Sequence, residues 1–316
     1  MTKHVISFST GKDSTAILLL ALHRCKPEDV IVITCDTGNE HEEYYKYLDY
    51  IEQRLGVKVV RLKANFADKL ARKRLFIARD QRTGRDQKGR KLRWSNKAKR
   101  RALAVMHPSG NAFLDLCMWK GRFPSRKAQF CTQELKTNMA VEFQLELMDA
   151  GHNVISWQGV RRDESQNRKN AKKIERVGTK LRVFRPIVDW TAVQVFEFIA
   201  QNDVNPNPLY LQGMNRVGCM PCINCSKQEL REIAHRFPEH PTRISEWEKI
   251  VSQCSKRGFS TFMADSHAAQ DRRIIFADLN IYNRIEWAKT TRGGKQYNLL
   301  QPADNNVCSS SYGLCE

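Results

Sequence analysis

"VISFSTGKDSTAILLLAL" (residues 5–22) passes from an apolar, β-branched run into a helical run through Ser9-Thr10-Gly11-Lys12-Asp13-Ser14. A strand that enters a helix over small residues leaves backbone N–H groups at the helix N-terminus, where the helix dipole also favours an anion. Lys12 adds a mobile positive charge, and the Ser9 and Ser14 hydroxyls add donors. The stretch lacks the first glycine of Gly-x-x-x-x-Gly-Lys-Ser/Thr, so it reads as a phosphate loop of another kind. The competing reading is an ordinary strand–helix turn carrying a surface Lys-Asp pair.

Working outward, further strands are expected at 30–35 ("VIVITC"), 57–62 ("VKVVRL"), 152–159 ("HNVISWQG") and 181–187 ("LRVFRPI"), besides the first at 4–9. Each is apolar and rich in β-branched residues, as strands buried on both faces are. Helical spacing of apolar residues runs from Ser14 to Arg24 and from Glu42 to Leu55. Strand, helix, strand, helix, strand predicts an α/β fold with a doubly wound, mostly parallel sheet. Ligands of such sheets bind beyond the carboxyl ends of the strands. The residues of chemical interest fall there: Ser9 to Ser14, Asp36-Thr37-Gly38, and Gly159 to Arg168.

The chain of 316 residues carries a net charge of +19. Between Ala71 and Arg101 there are 14 Lys and Arg residues against two acids, Asp80 and Asp86. A balance that basic calls for a polyanionic partner or a strongly anionic substrate. Residues 71–130 interrupt the strand–helix alternation as a basic insertion, with "SNKAKRRALAVM" (95–106) its best helix candidate. Trp94, between Arg93 and Lys97, reads as a base-stacking surface beside phosphate-neutralising charges, which favours nucleic acid as the partner of segment 71–101. A mobile lid, a partner-protein surface or a plain solvated face are the alternatives. After Pro206 the pattern turns helical and polar, through "SKQELREIAHRF" and "RISEWEKIVSQC". The expected division is therefore a nucleotide-binding domain over 1–227 and a helical C-terminal region over 228–316. No apolar run has the length of a membrane span and no signal peptide is visible, so a cytoplasmic protein without a membrane partner is expected.

Ten cysteines exceed the needs of packing, and clustered thiols in a cytosolic chain read first as metal or redox groups. Cys219, Cys222 and Cys225 form Cys-x-x-Cys-x-x-Cys, a spacing that lets thiolates converge on one metal centre but needs a fourth ligand. Cys25 and Cys35 read as packing residues, and Cys117, Cys254, Cys308 and Cys315 have no assigned role.

The motifs "SFSTGKDST" (7–15), "CDTGNEHEE" (35–43), "FCTQELKT" (130–137), "WQGVRRDESQNR" (157–168), "RPIVDWTAVQVFEFI" (185–199) and "NPNPLYLQGMNRVGCMPC" (205–222), in this order, resemble the PAPS reductase family of the PP-loop (adenine nucleotide alpha-hydrolase-like) superfamily. The resemblance implies a domain that binds an adenine nucleotide and handles sulfur or activated phosphoryl groups. Two features set the chain apart from the sulfonucleotide reductases of that family. Those enzymes have usually lost the Gly-Lys-Asp pattern that is intact at Gly11-Lys12-Asp13, and they carry a C-terminal Glu-Cys-Gly, whereas this chain ends "SYGLCE". In its phosphate loop the chain is closer to ATP-using members, the ATP sulfurylase small subunits and the Dnd-type DNA phosphorothioation protein.

What this resemblance implies is ATP with Mg²⁺ as the bound nucleotide. Ser9, Thr10, Gly11, Lys12, Asp13 and Ser14 would cradle the β and γ phosphates, with Lys12 and Asp13 also in catalytic roles and Asp13 able to hold Mg²⁺. Asp36, with Thr37 and Gly159 beside it, would assist the metal or the ribose, unless Asp36 is a helix N-cap partnered by Glu40. Arg161 and Arg162 would grip the α-phosphate and stabilise developing charge, joined by Arg168. The alternative pairs these arginines with Asp163 or Glu164. Cys131 is the family's fourth cluster ligand beside Cys219, Cys222 and Cys225, and the four would hold a 4Fe-4S cluster or, alternatively, Zn²⁺. The expected activity is pyrophosphate release from ATP to activate an acceptor, nucleic acid favoured, for sulfur transfer from a sulfur-donor protein. The other readings are a PAPS or APS reductase, and a nucleotide-sensing DNA-binding regulator without turnover.

Overall fold

A computed structural model of the chain describes residues 1–263 and 279–290. Cys308 and Cys315 lie outside the described residues. The described chain forms two compact units, one of Met1–Lys63 with Lys136–Met220, the other of Ala64–Leu135 with the residues from Pro221 onward.

The first unit is built on a six-stranded sheet in the order β3-β2-β1-β4-β6-β5. Its strands are β1 (Thr2–Ser7), β2 (Val30–Asp36), β3 (Val59–Lys63), β4 (Asn153–Trp157), β5 (Ile174–Arg176) and β6 (Leu181–Phe184). All neighbouring pairs are parallel except β5 with β6. Side chains alternate across a strand, and here both faces are buried. Ile6, Val32 and Trp157 meet α1 (Lys12–Arg24) and α2 (Glu42–Leu55) through Ile17, Leu48 and Ile51, together with Val195 and Ile199 of helix Ala192–Gln201. Val5, Ile33 and Val154 on the opposite face pack with Ala140, Phe143 and Leu147 of helix Asn138–Asp149. Helices on both faces of a mostly parallel sheet make the fold doubly wound, as the element order predicts.

The span of α2 is the one expected, because Tyr44, Tyr47, Leu48 and Ile51 put an apolar stripe on one face and Gly56 stops the helix in the left-handed region at φ 63°. Strand β5 was not expected. All three of its residues are exposed, so it has no buried face to write an apolar alternation into the sequence.

The second unit is helical. It contains α3 (Ala67–Ala78), α4 (Asn96–Val105), α5 (Ala112–Lys120) and the helices Lys227–Arg236, Glu239–Cys254 and Ile281–Lys289. Ser95 Oγ accepts the Ala98 N–H and starts α4 within the expected segment. Phe113 lies against Trp247 with ring centroids 5.7 Å apart, and Phe123 against Phe262 at 5.5 Å. Glu248 is fully buried among these elements and accepts the N–H groups of Phe262 (2.8 Å) and Ile281 (3.0 Å). Burial pushes its carboxyl up to about 7. No described helix is long and apolar enough to cross a membrane.

Candidate phosphate-binding site

Three loops of the first unit leave the carboxyl ends of parallel strands: 9–14 after β1, 37–41 after β2 and 158–168 after β4. The first begins in an unusual backbone. Thr10 has φ 59°, a left-handed conformation that costs a β-branched residue about 1–3 kcal/mol. Its side chain is buried, and Oγ1 has no hydrogen-bond partner among the described residues. Internal bonds then set the loop. Ser14 Oγ donates to the Gly11 carbonyl (2.8 Å) and accepts the Ser9 N–H (3.1 Å), while Thr15 Oγ1 donates to the same carbonyl at 3.1 Å. Gly11 is the N-cap of α1, and no side chain caps that end. The first turn therefore presents backbone donors and the positive end of the dipole.

Three neighbours hold the loop in place. The Tyr210 hydroxyl accepts the Lys12 N–H at 3.0 Å. Arg161, only 3% exposed, donates from Nε to Asp13 Oδ1 at 2.5 Å and also binds Asp163. Gly159 passes so close that a methyl group there would lie 3.0 Å from the Asp13 carbonyl carbon and oxygen. Only a glycine allows β4 to end against this loop. Lys12 Nζ sits 3.6 Å from Asp13 Oδ2 and over the Tyr210 ring, 5.5 Å from its centre. Arg168 bonds Glu164 and feels the Asp13, Arg161 and Arg216 charges. Burial holds its guanidinium below the usual arginine range.

The structure brings Ser9, Thr10, Gly11, Lys12, Asp13, Ser14, Gly159, Arg161 and Arg168 into one neighbourhood. Arg162 turns elsewhere, to Asp189 and to the Ala171 carbonyl. The carboxylate pairing offered as the alternative for the arginines is present, Arg161 with Asp13 and Asp163 and Arg168 with Glu164, and Arg161 reaches the loop through Asp13.

Asp36 is not the helix N-cap. Its Oδ1 accepts the Gly38 N–H and the Tyr45 hydroxyl, both at 2.9 Å, and His41 caps α2 through Nδ1. Glu40 closes the same turn. It is 5% exposed and accepts from Thr37 Oγ1 (2.5 Å), the Thr37 N–H (3.2 Å) and the Asn39 N–H (3.1 Å). Desolvation raises its carboxyl above the ordinary glutamate value. Cys219 lies against this turn, with Sγ 3.4 Å from Thr37 Oγ1. Cys131, Cys222 and Cys225 belong to the second unit.

The matched family model is the phosphoadenosine phosphosulfate reductase domain, over residues 3–225, which takes in all three loops. The chain belongs to that family. An uncharacterised 37.8 kDa protein from the gpa 5′ region of Escherichia phage 186 is 43% identical over all of this chain and 97% of its own length. An adenosine 5′-phosphosulfate reductase of Deinococcus radiodurans is 35% identical over 66 residues, which are 21% of this chain and 26% of the reductase. Among solved structures, a phosphoadenylyl-sulfate reductase from Candida auris matches 69% of this chain and 82% of its own at 16% identity and a TM-score of 0.41. An FMN adenylyltransferase from Candida glabrata matches 69% and 55% at 12% identity and a TM-score of 0.38.

Tyr210 was not singled out by sequence reasoning, although it lies within the "NPNPLYLQ" motif. Its role depends on a contact 198 positions away along the chain, and nothing local encodes that.

If loop 9–14 is an anion site, inorganic pyrophosphate at about ten times its dissociation constant should raise the melting temperature by about 2–4 °C. Gly159→Ala, which crowds Asp13, should lose that rise while keeping its far-UV circular dichroism. A variant stabilised like the parent would remove the loop as the site.

Proposed function

We propose that the first unit binds ATP with Mg²⁺ and cleaves it between the α and β phosphates, activating an acceptor for sulfur transfer. The observation that carries this reading is the intact, braced loop around Gly11-Lys12-Asp13. It offers uncapped helix N-terminal donors and a buried lysine where two terminal phosphates would have to be held. A nucleophilic oxygen of the acceptor would bond to the α-phosphorus, the bond from that phosphorus to the β-bridging oxygen would break, and pyrophosphate would leave with the electron pair. Lys12 and the loop N–H groups take up the charge that grows on the departing phosphates. Asp13 is the carboxylate available to Mg²⁺, a cation that takes carboxylate and phosphate oxygens and neutralises the leaving group. Arg161 keeps Asp13 in position and faces the α-phosphate with Arg168. Asp36 and Thr37 supply polar groups to the ribose or metal, and Arg162, through Asp189 and Ala171, holds the 162–171 loop.

Nucleic acid is the acceptor this reading favours. Both acids of segment 71–101 are already committed, Asp80 to Arg82 and the Trp94 N–H, and Asp86 to Arg90. The side chains of Arg72, Arg79, Arg93, Lys97 and Arg100 are exposed and make no hydrogen bond or ion pair among the described residues. Trp94 itself is only 6% exposed, so the stacking role expected of it is withdrawn. Its backbone N–H is spent on Asp80, and its indole packs inward.

The family resemblance, which adds Cys131 to the Cys-x-x-Cys-x-x-Cys spacing of Cys219, Cys222 and Cys225, supports a 4Fe-4S cluster over Zn²⁺, and four thiols suit soft-metal ligation. The four are free thiols, and in the second unit the Asn224 N–H donates to Cys222 Sγ at 3.5 Å. Such a cluster would supply electron transfer or sulfur handling. A sulfur-donor protein would complete the reaction. The family also contains sulfonucleotide reductases, which is the second reading.

With α- or γ-labelled ATP and an oligonucleotide acceptor, the protein should yield pyrophosphate and labelled AMP products, and Lys12→Ala should slow this about a hundredfold. ADP with inorganic phosphate, or sulfite released from a sulfonucleotide, would overturn the reading. Anaerobically purified protein should absorb near 400 nm and carry about four irons per chain, lost in Cys222→Ser. Stoichiometric zinc without iron would exclude the cluster.

A further inference from the structure

Burial of Trp94 leaves the basic segment without its expected aromatic, but another is at the surface. Phe76 on α3 is 42% exposed, beside Leu75 at 54%. Two cations lie over its ring: Lys73 Nζ is 5.4 Å from the centroid and the Arg82 guanidinium 4.7 Å. Arg82 is not a wandering surface arginine. Its Nε donates to Asp80 Oδ1 at 2.8 Å and its Nη2 to the Leu92 carbonyl at 2.9 Å. Asp80 is in turn buried and fixed by the Trp94 N–H at 2.8 Å. The buried tryptophan thus anchors the device that presents the exposed phenylalanine.

The same face of α3 gathers charge. Lys69, Lys73 and Phe76 follow at i, i+4 and i+7, so they share one side of the helix. Lys69 Nζ stands 4.7 Å from the Trp119 ring centre and Lys120 Nζ 3.8 Å, with Glu134 between the two lysines at 3.2 and 2.9 Å. Among the described residues Lys73 has no such carboxylate. Its ammonium is held below the usual lysine value by burial and by the neighbouring charges of Arg82 and Lys120. Like charges gathered around an exposed ring are costly when alone and favourable when a polyanion is present.

We propose that Phe76, flanked by Lys73 and Arg82, is the base-stacking platform of a single-stranded nucleic-acid track on the second unit. The inference rests on the reading of segment 71–101 as a nucleic-acid surface and adds which strand form it takes and which residue reads it. A base can stack on the exposed part of the Phe76 ring while Lys73 meets an adjacent phosphate and Arg82, held by Asp80 and the Leu92 carbonyl, keeps the ring in place, and stacking of this kind is tolerant of sequence. A base inside a duplex keeps its faces covered and cannot make the contact.

Fluorescence anisotropy of the full chain with a labelled 20-mer of deoxythymidine, and with a mixed-sequence duplex of equal length, across a salt series, tests this. Phe76→Ala should weaken single-strand binding about tenfold with the salt slope unchanged, and leave duplex binding within about twofold. Phe76→Trp should restore it. Lys73→Ala should lower the salt slope by about one. If the parent binds the single strand but Phe76→Ala and the parent bind it equally, the stacking platform is wrong and the basic surface stands. Equal losses on single strand and duplex would also overturn the platform. If the parent binds neither nucleic acid at any salt, the underlying reading of the segment fails first.

Discussion

The pairing of Arg161 with Asp13 ties the loop after β4 to the loop after β1, and the candidate site takes its shape from that tie. Both groups lie where two parallel strands end, and the guanidinium is almost wholly out of water. A buried arginine without its carboxylate would carry a large desolvation cost, so the pair holds the two loops together whether or not a ligand is present. Gly159 makes the approach sterically feasible, and Tyr210 secures the adjoining peptide. With these supports the strained Thr10 backbone can persist, and the first turn of α1 stays open. Preorganisation of this kind places donors where charge would develop, with little rearrangement at the moment of reaction.

Much of the sheet was legible because burial on both faces writes itself as apolar runs. Residues 30–36 and 153–157 are examples, and α2 occupies the span its apolar stripe marks. What escaped had no local signature. Strand β5 has no buried residue, and Tyr210 acts through a distant loop. The alternative to a metal or ribose role for Asp36, a helix cap partnered by Glu40, rested on the rule that carboxylates before a helix are usually caps. Here both carboxylates bind backbone N–H groups of their own turn, and a histidine takes the cap. Trp94 was misread for a related reason: its charged neighbours in sequence are exposed while its own side chain points into the helical unit. Local charge describes the surface, but not which member of a run faces it.

The two units carry different chemistry. The first concentrates the buried charges Lys12, Arg161 and Glu40 at strand ends. The second disperses cations over exposed helix and loop, with both acids of segment 71–101 paired to arginines and its buried carboxylate, Glu248, spent on two backbone donors. Buried charge of the first kind suits a small, multiply charged ligand held tightly. Dispersed charge of the second kind suits a long polyanion whose binding weakens as salt rises. An enzyme that activates a polymer with a nucleotide needs both, which is why the proposal joins them.

The central claim is that the loop of residues 9–14 grips the two terminal phosphates of a nucleoside triphosphate. Isothermal titration of the parent and of Lys12→Ala with ATP and with AMP, each in the presence of Mg²⁺, tests it most directly. The account predicts that the substitution weakens ATP at least tenfold and AMP less than twofold. Equal losses for both nucleotides would contradict it.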